Sequence, residues 1–525
     1  MSTFSVSSSE SFDKKKYPVL ITIVFFLITA YISFFHHGFW TIFDQDGLFY
    51  LSAGRQIIAG VGENVSLLNA GPAGPVLFAS LESVLKDGLF AIKIISLLSG
   101  TGIVFFSYMV FKNIFSTKIA LVGQLFIAFN PWLGILSTSP LNDLLPIFMS
   151  ILSFYFITKK DIKLTDIIFS ASILGIAFMF RAQPIVFLFA IIVFLIILEK
   201  KPRFKISAVT LLIVFFVLCC SPMLLYNYTV HDKMIDSNSN YYVAVHSKYY
   251  TQEWKDFLLD NMDKDANAIF SNPDLFSKNY FYNMFYGQPS NLFGFDNKVS
   301  ASLIPVIPII GAIPVLGGLI YSLKIPASKK TLITVISTAA IATVLVFLLG
   351  SFQDHFFAII IMPLIVLGLQ NIQKLDKKFL LLIIMAVIFS ILMSMVPMSS
   401  YKHFLYLWIF LAPLCSIFFI SLIPKLFLKI QNTKLSSTKF LENQKSSKVA
   451  ISVIISLILL ANLGYSYVTI EVITTGNSVD IILENLKSPF SDKINPNKSD
   501  LNNIVTILEN QPDIENSYVM ANYIF

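Results

Sequence analysis

Long apolar runs alternate along this chain with short polar stretches. The candidate spans are roughly 17–35, 89–111, 118–135, 140–157, 165–180, 183–199, 206–226, 299–321, 331–350, 354–370, 379–397, 403–423 and 449–468. Most are about 17–22 residues long, the length a helix needs to cross a bilayer core. Barrel strands would be shorter and would alternate in polarity. Three longer polar stretches interrupt the series, 36–88, 227–298 and 469–525. The first is rich in glycine and proline and is expected to hold a short helix; the second is rich in Tyr, Asn and Asp.

Composition points the same way. Of 525 residues, 55% are hydrophobic and 13% charged, and mean hydropathy is +0.73. Soluble domains carry about 25% charged residues, so this chain has too few to cover a soluble surface. Lipid must solvate much of it, and in lipid only helices and closed barrels satisfy their own backbone. The expected fold class is therefore an all-α polytopic membrane protein with about thirteen transmembrane helices.

The formal net charge of +7 does not point to nucleic acid, because the cations lie in short loops. With Lys14, Lys15 and Lys16 placed in the cytoplasm, every second short loop is basic: Lys112 and Lys118; Lys159, Lys160 and Lys163; Lys200, Lys201, Arg203 and Lys205; Lys324, Lys329 and Lys330; Lys374, Lys377 and Lys378; and the stretch from Lys425 to Lys448. The intervening short loops hold little positive charge besides Arg181 and Lys402. That is the positive-inside pattern, and it predicts a cytoplasmic N-terminus and an extracytoplasmic C-terminus in a multi-pass cell-membrane protein. Residues 1–470 form the transmembrane domain, with a first outer loop 36–88 and a large outer loop 227–298; 471–525 form an extracytoplasmic segment. Its end, Ser517 to Phe525, reads as a strand that should continue, which suggests a truncated chain. Cys219, Cys220 and Cys415 lie in apolar runs and form neither a disulfide framework nor a metal spacing.

The chemistry concentrates on the outer side. After the first span comes Asp44-Gln45-Asp46-Gly47-Leu48-Phe49-Tyr50-Leu51-Ser52-Ala53-Gly54-Arg55, continuing to Gly60. Two carboxylates precede an amphipathic segment that would lie in the interface and hold them at the membrane surface. A carboxylate there can act as general base on an acceptor hydroxyl, amine or amide. The same residues also read as a helix N-cap, Asp44, and a first-turn charge, Asp46. Arg181 stands alone in its turn and reads either as a phosphate clamp or as a snorkelling interfacial charge. Asp354-His355 and Lys402-His403 lie at outer span ends, where Lys or His can neutralise a phosphate leaving group or anchor the span. His36-His37 with Asp46 make too small a set for a metal; no metal is favoured, and a divalent cation is the one cofactor left open. Trp40, Trp132, Trp254 and the tyrosines between 226 and 286 read as sugar-stacking or belt residues. Three sequons, beginning at Asn64, Asn227 and Asn497, fall in outer segments.

The pattern Asp46-Gly47-x-x-Tyr50-x-x-x-Gly54-Arg55-x-x-x-x-Gly60 resembles the first extracytoplasmic loop of the GT-C glycosyltransferases, the polyprenyl-phosphate-sugar-dependent enzymes such as protein O-mannosyltransferases and lipid A aminoarabinose transferases. Gly71-Pro72-Ala73-Gly74-Pro75 is similar to that family's proline-rich approach to its second span, without the usual basic residue. Asn130-Pro131 through Ser139-Pro140-Leu141-Asn142-Asp143, Phe180-Arg181-Ala182-Gln183-Pro184 and Ser221-Pro222 to Tyr226-Asn227-Tyr228 follow in the family's order. The resemblance implies a catalytic base at Asp46, with Asp44 as the competing candidate and Gly47 where the family often has Glu. The motifs add Asp143, Tyr50 and Arg55 as candidate substrate-binding residues, beside Arg181, Asp354, His355, Lys402 and His403, which are candidates by their places at outer span ends. It further implies an inverting hexosyl- or pentosyltransferase whose partners are a polyprenyl-phosphate sugar donor, an extracytoplasmic acceptor (protein, lipid or glycan) and membrane lipids. A lipid-linked glycan flippase is the reading from another class, disfavoured because the spans carry few central charges, with Lys93 near one end. An oligosaccharyltransferase relative is the third, disfavoured because 469–525 lacks a Trp-Trp-Asp motif.

Overall fold

The computed structural model describes residues 16–36, 46–61, 71–198, 200–232, 234, 272–293, 312–326, 328–348, 357–395, 401–426 and 444–475. Among them the regular structure is helical throughout, with no strand. Asp44, His37, Asp354, His355 and the terminal 517–525 stretch lie outside the described residues.

The helices are α1 Lys16–Tyr31, α2 Asp46–Ile58, α3 Ala73–Leu85, α4 Gly88–Ile114, α5 Thr117–Ala128, α6 Pro131–Thr138, α7 Leu144–Thr158, α8 Leu164–Phe180, α9 Ile185–Ile197 and α10 Pro202–His231. They continue as α11 Pro273–Tyr282, α12 Gln288–Phe293, α13 Ala312–Ser322, α14 Lys329–Leu348, α15 Phe357–Asn371, α16 Lys377–Met393, α17 Tyr401–Ile417 and α18 Gln444–Thr475. The described residues contain 5 helices long and apolar enough to cross a membrane alone, and a sixth if the bent pair α5–α6 is one span. The protein is a multi-pass membrane protein.

Two places depart from the hydropathy pattern. The expected span 118–135 breaks into α5 and α6, inclined at 54°. Asn130 and Pro131 cause the break: the Asn130 side chain accepts from Leu133 N at 3.0 Å and caps a new helix. Pro131 brings no N–H to continue the old one and suits a first helical position. The expected short helix of the first outer loop is two helices, α2 and α3, ahead of α4.

The chain divides into a unit Met1–Ser466 and a unit Tyr467–Phe525. In the first, α4 is central, packing on α1, α3, α5, α6 and α7, while α8 packs on α7 and α10. Polar contacts fix the joints. Gln124 Nε2 donates to Pro18 O at 2.9 Å and joins α5 to α1. Trp408 Nε1 donates to Phe126 O at 3.3 Å and joins α17 to α5. Part of the large outer loop, α11 to α12, docks on the end of α16, where Gln288 Nε2 donates to Ser390 O at 2.8 Å and to Ser394 Oγ at 2.7 Å. Of the second unit, the described residues are the last turns of α18.

Candidate active site

Helix α2 carries the first candidate carboxylate, Asp46, at its N-terminal end, where the helix dipole favours negative charge. Its seat is decided by Gly47. A β-carbon at Gly47 would lie 1.9 Å from the carbonyl oxygen of Pro140, closer than any side chain tolerates. Gly54 repeats the device against α3, where a β-carbon would lie 1.9 Å from Pro75 O. Between them Tyr50 and Leu51 pack into a cluster with Phe78, Ile92 and Ile95. The glycine spacing of the motif is thus a packing requirement: it lets α2 lie directly on backbone.

The segment under α2 is 139–143, between α6 and α7. Ser96 Oγ on α4 donates to Leu141 O at 2.9 Å. Asn142 Nδ2 donates to Phe180 O at 3.4 Å, the same carbonyl that accepts from Gly71 N at 3.0 Å. One carbonyl therefore ties together the first outer loop, the 139–143 segment and the turn after α8. That turn presents Arg181, whose Nη2 lies 2.8 Å from Asp143 Oδ1; the two side chains are 5% and 3% exposed.

Arg181 is not a snorkelling interfacial charge. Burial works against its guanidinium charge, but the Asp143 carboxylate, followed by Tyr50, Tyr406 and Asp46, more than restores it, and its proton is held more tightly than usual. The structure thus brings Asp46, Tyr50, Asp143 and Arg181 into one electrostatic neighbourhood. Arg55 lies elsewhere. It is exposed and paired with Glu82 on α3, its Nε donating to Glu82 Oε2 at 2.8 Å. Lys402 and His403 lie in the first turn of α17, and His403 is half-buried. Lys93 is buried in α4, with Nζ 3.3 Å from Ser33 O.

The residue missed by sequence reading is Tyr406, 2% exposed, one turn beyond His403 on α17 and interacting electrostatically with both Arg181 and Asp143. Nothing distinguishes it in the sequence, where it sits in an apolar aromatic run. Among the described residues, no group of three or more His, Cys, Asp or Glu is placed to hold a metal ion.

Residues 69–226 match the family model for dolichyl-phosphate-mannose-protein mannosyltransferase. Over that stretch the chain is similar to this family. The match covers under a third of its 525 residues and contains Asn142, Asp143, Arg181 and Gln183, while Asp46 lies before it. No curated protein matches this chain. Among solved structures it is similar to ArnT from Cupriavidus metallidurans bound to undecaprenyl phosphate, at 9% identity and a TM-score of 0.45, over 86% of this chain and 72% of that one. It is also similar to the archaeal oligosaccharyltransferase AglB from Archaeoglobus fulgidus in complex with an inhibitory peptide and a dolichol-phosphate, at 13% identity and a TM-score of 0.46, over 96% of this chain and 59% of that one.

Proposed function

We propose that this chain is a GT-C glycosyltransferase that transfers a sugar from a polyprenyl-phosphate donor to an extracytoplasmic acceptor, with Asp46 as general base. The observation that carries this reading is the convergence of Asp46, Asp143 and Arg181 from three segments distant in sequence. A carboxylate within reach of an acceptor X–H can take its proton. The acceptor X–H gives its proton to Asp46. Its lone pair attacks the anomeric carbon as the bond from that carbon to the phosphate oxygen breaks on the opposite face, so configuration inverts. The bonding electrons leave with the polyprenyl phosphate. Cationic groups facing that phosphate, with Lys402, His403 and the field of Arg181 as the candidates, offset its growing charge. Asp354 and His355 are assigned to the same outer surface, on a topology of about thirteen spans with the N-terminus inside.

The test is transfer from undecaprenyl-phosphate-linked sugars in membranes containing Asp46→Asn, Asp44→Asn or the double variant. Asp46→Asn alone should lower transfer at least about 100-fold, the scale of a lost general base, with expression and folding unchanged. Full activity in the double variant would remove the assignment; loss in Asp44→Asn alone would move the base to Asp44.

A further inference from the structure

Resting on that transfer reaction, we propose that Tyr406, Asn142 and Gln183 form a wall beside the Arg181–Asp143 pair that hydrogen-bonds the hydroxyls of the donor sugar.

The three residues come from separate segments: Tyr406 on α17 interacts electrostatically with both Arg181 and Asp143, Asn142 directly precedes Asp143, and Gln183 lies two residues after Arg181. The Tyr406 hydroxyl, Asn142 Oδ1 and Gln183 Oε1 are all buried and have no hydrogen-bond partner, and the same holds for Arg181 Nε. Asn142 and Tyr406 are 0% and 2% exposed. The Asn142 amide is also locked in place: its Nδ2 is used by Phe180 O, and Gly74 leaves room for it, since a β-carbon there would lie 2.4 Å from that nitrogen. Its oxygen is therefore fixed in direction. The Tyr406 ring is fixed as well, with ring centroids 5.8 Å from Phe187 and 6.0 Å from Phe389.

Polar atoms buried without partners are costly and rare in folded proteins, and here four occur in Arg181, in two residues within two positions of the ion pair along the chain, and in Tyr406. Two are amide oxygens, which accept; one is a hydroxyl, which does either; one is a guanidinium N–H, which donates. A sugar presents vicinal hydroxyls that donate and accept at once and matches that mixture. A bare phosphate only accepts, and it would find the Asn142 and Gln183 oxygens repulsive. The wall is thus built for the glycosyl part of the donor and not for its phosphate.

The full-length protein in nanodiscs is titrated with undecaprenyl phosphate and with undecaprenyl phosphate carrying mannose, glucose or galactose. The wild type should bind at least one sugar-bearing lipid more tightly than the bare lipid. Tyr406→Phe and Gln183→Leu should each weaken that lipid about tenfold while leaving bare undecaprenyl phosphate within twofold. The melting temperature should stay level or rise, since an unpartnered hydroxyl is removed. Variants that bind the sugar-bearing lipid like wild type would overturn the wall. So would equal binding of sugar-bearing and bare lipid by the wild type, or equal loss of both lipids in the variants together with a lower melting temperature, which marks a structural hydroxyl. A wild type that binds neither lipid would instead overturn the transfer reaction itself.

Discussion

At the scale of single residues, the site depends on polar groups held where lipid or apolar side chains surround them. The Arg181–Asp143 pair is nearly inaccessible to solvent, so removing one member leaves the other buried without its ion-pair partner. Breaking such a pair costs about 3–5 kcal/mol. Arg181→Ala and Asp143→Ala should each lower the unfolding midpoint in detergent, and the double variant should lose less than the sum of the singles. Additive losses in that cycle would show that the two do not act as a pair. Little of this was legible beforehand. The motif order marked Asp46, Asp143 and Arg181 as polar residues on one side, but hydropathy reports transfer into lipid, not which buried charge meets which. Tyr406 carried no signal, because a tyrosine in an apolar run looks like a packing or belt residue until its neighbours are known.

At the scale of elements, α2 and α3 form a hairpin-like pair held by Gly54 on Pro75 inside and by Arg55 with Glu82 outside. The hydrogen bonds from Arg55 hold the Glu82 carboxyl below its usual range. Because the folded value is lowered, this contribution is complete above the ordinary Glu value of about 4.3 and fades as pH falls through the lowered one. The pair is solvent-exposed, so its worth is at most about 1 kcal/mol. Hydrogen exchange of the α2 amides, corrected for intrinsic rates, should be constant from neutral pH to about 5 and rise below about 4. Glu82→Gln should flatten that dependence; an unchanged profile in the variant would exclude Glu82 as its source. Hydropathy located the apolar helices well because length and polarity decide them. It missed the α5–α6 break because Asn130 and Pro131 are two residues inside an otherwise apolar run, and capping chemistry outweighed the average.

At the scale of the whole molecule, apolar surface that a soluble protein would bury is left outside. Helix α14 exposes Leu332, Ile333, Ile336, Ile341, Val344 and Phe347, while Ala342 and Val346 are among its few buried residues. Lipid contact, not a protein core, satisfies that face. On the proposed topology, the α7–α8 and α3–α4 connections lie on opposite sides of the membrane. In a background lacking the three native cysteines, Lys160→Cys should react with an impermeant maleimide only after the membrane is opened, and Ser83→Cys should react in intact cells. The reverse pattern, or labelling of both from outside, would overturn the proposed topology.

The contact between Gly47 and Pro140 O has a consequence for how this site can vary. The obstacle facing residue 47 is main chain, which is present whatever amino acid occupies 140. No side-chain exchange at 140 can therefore make room for a larger residue at 47. Accommodation would require the whole 139–143 segment to be re-laid, and with it the support of Asp143. The position after the candidate base and the path of a distant loop are thus a coupled inheritance: a related chain with a bulky residue at 47 must run that loop along a different course.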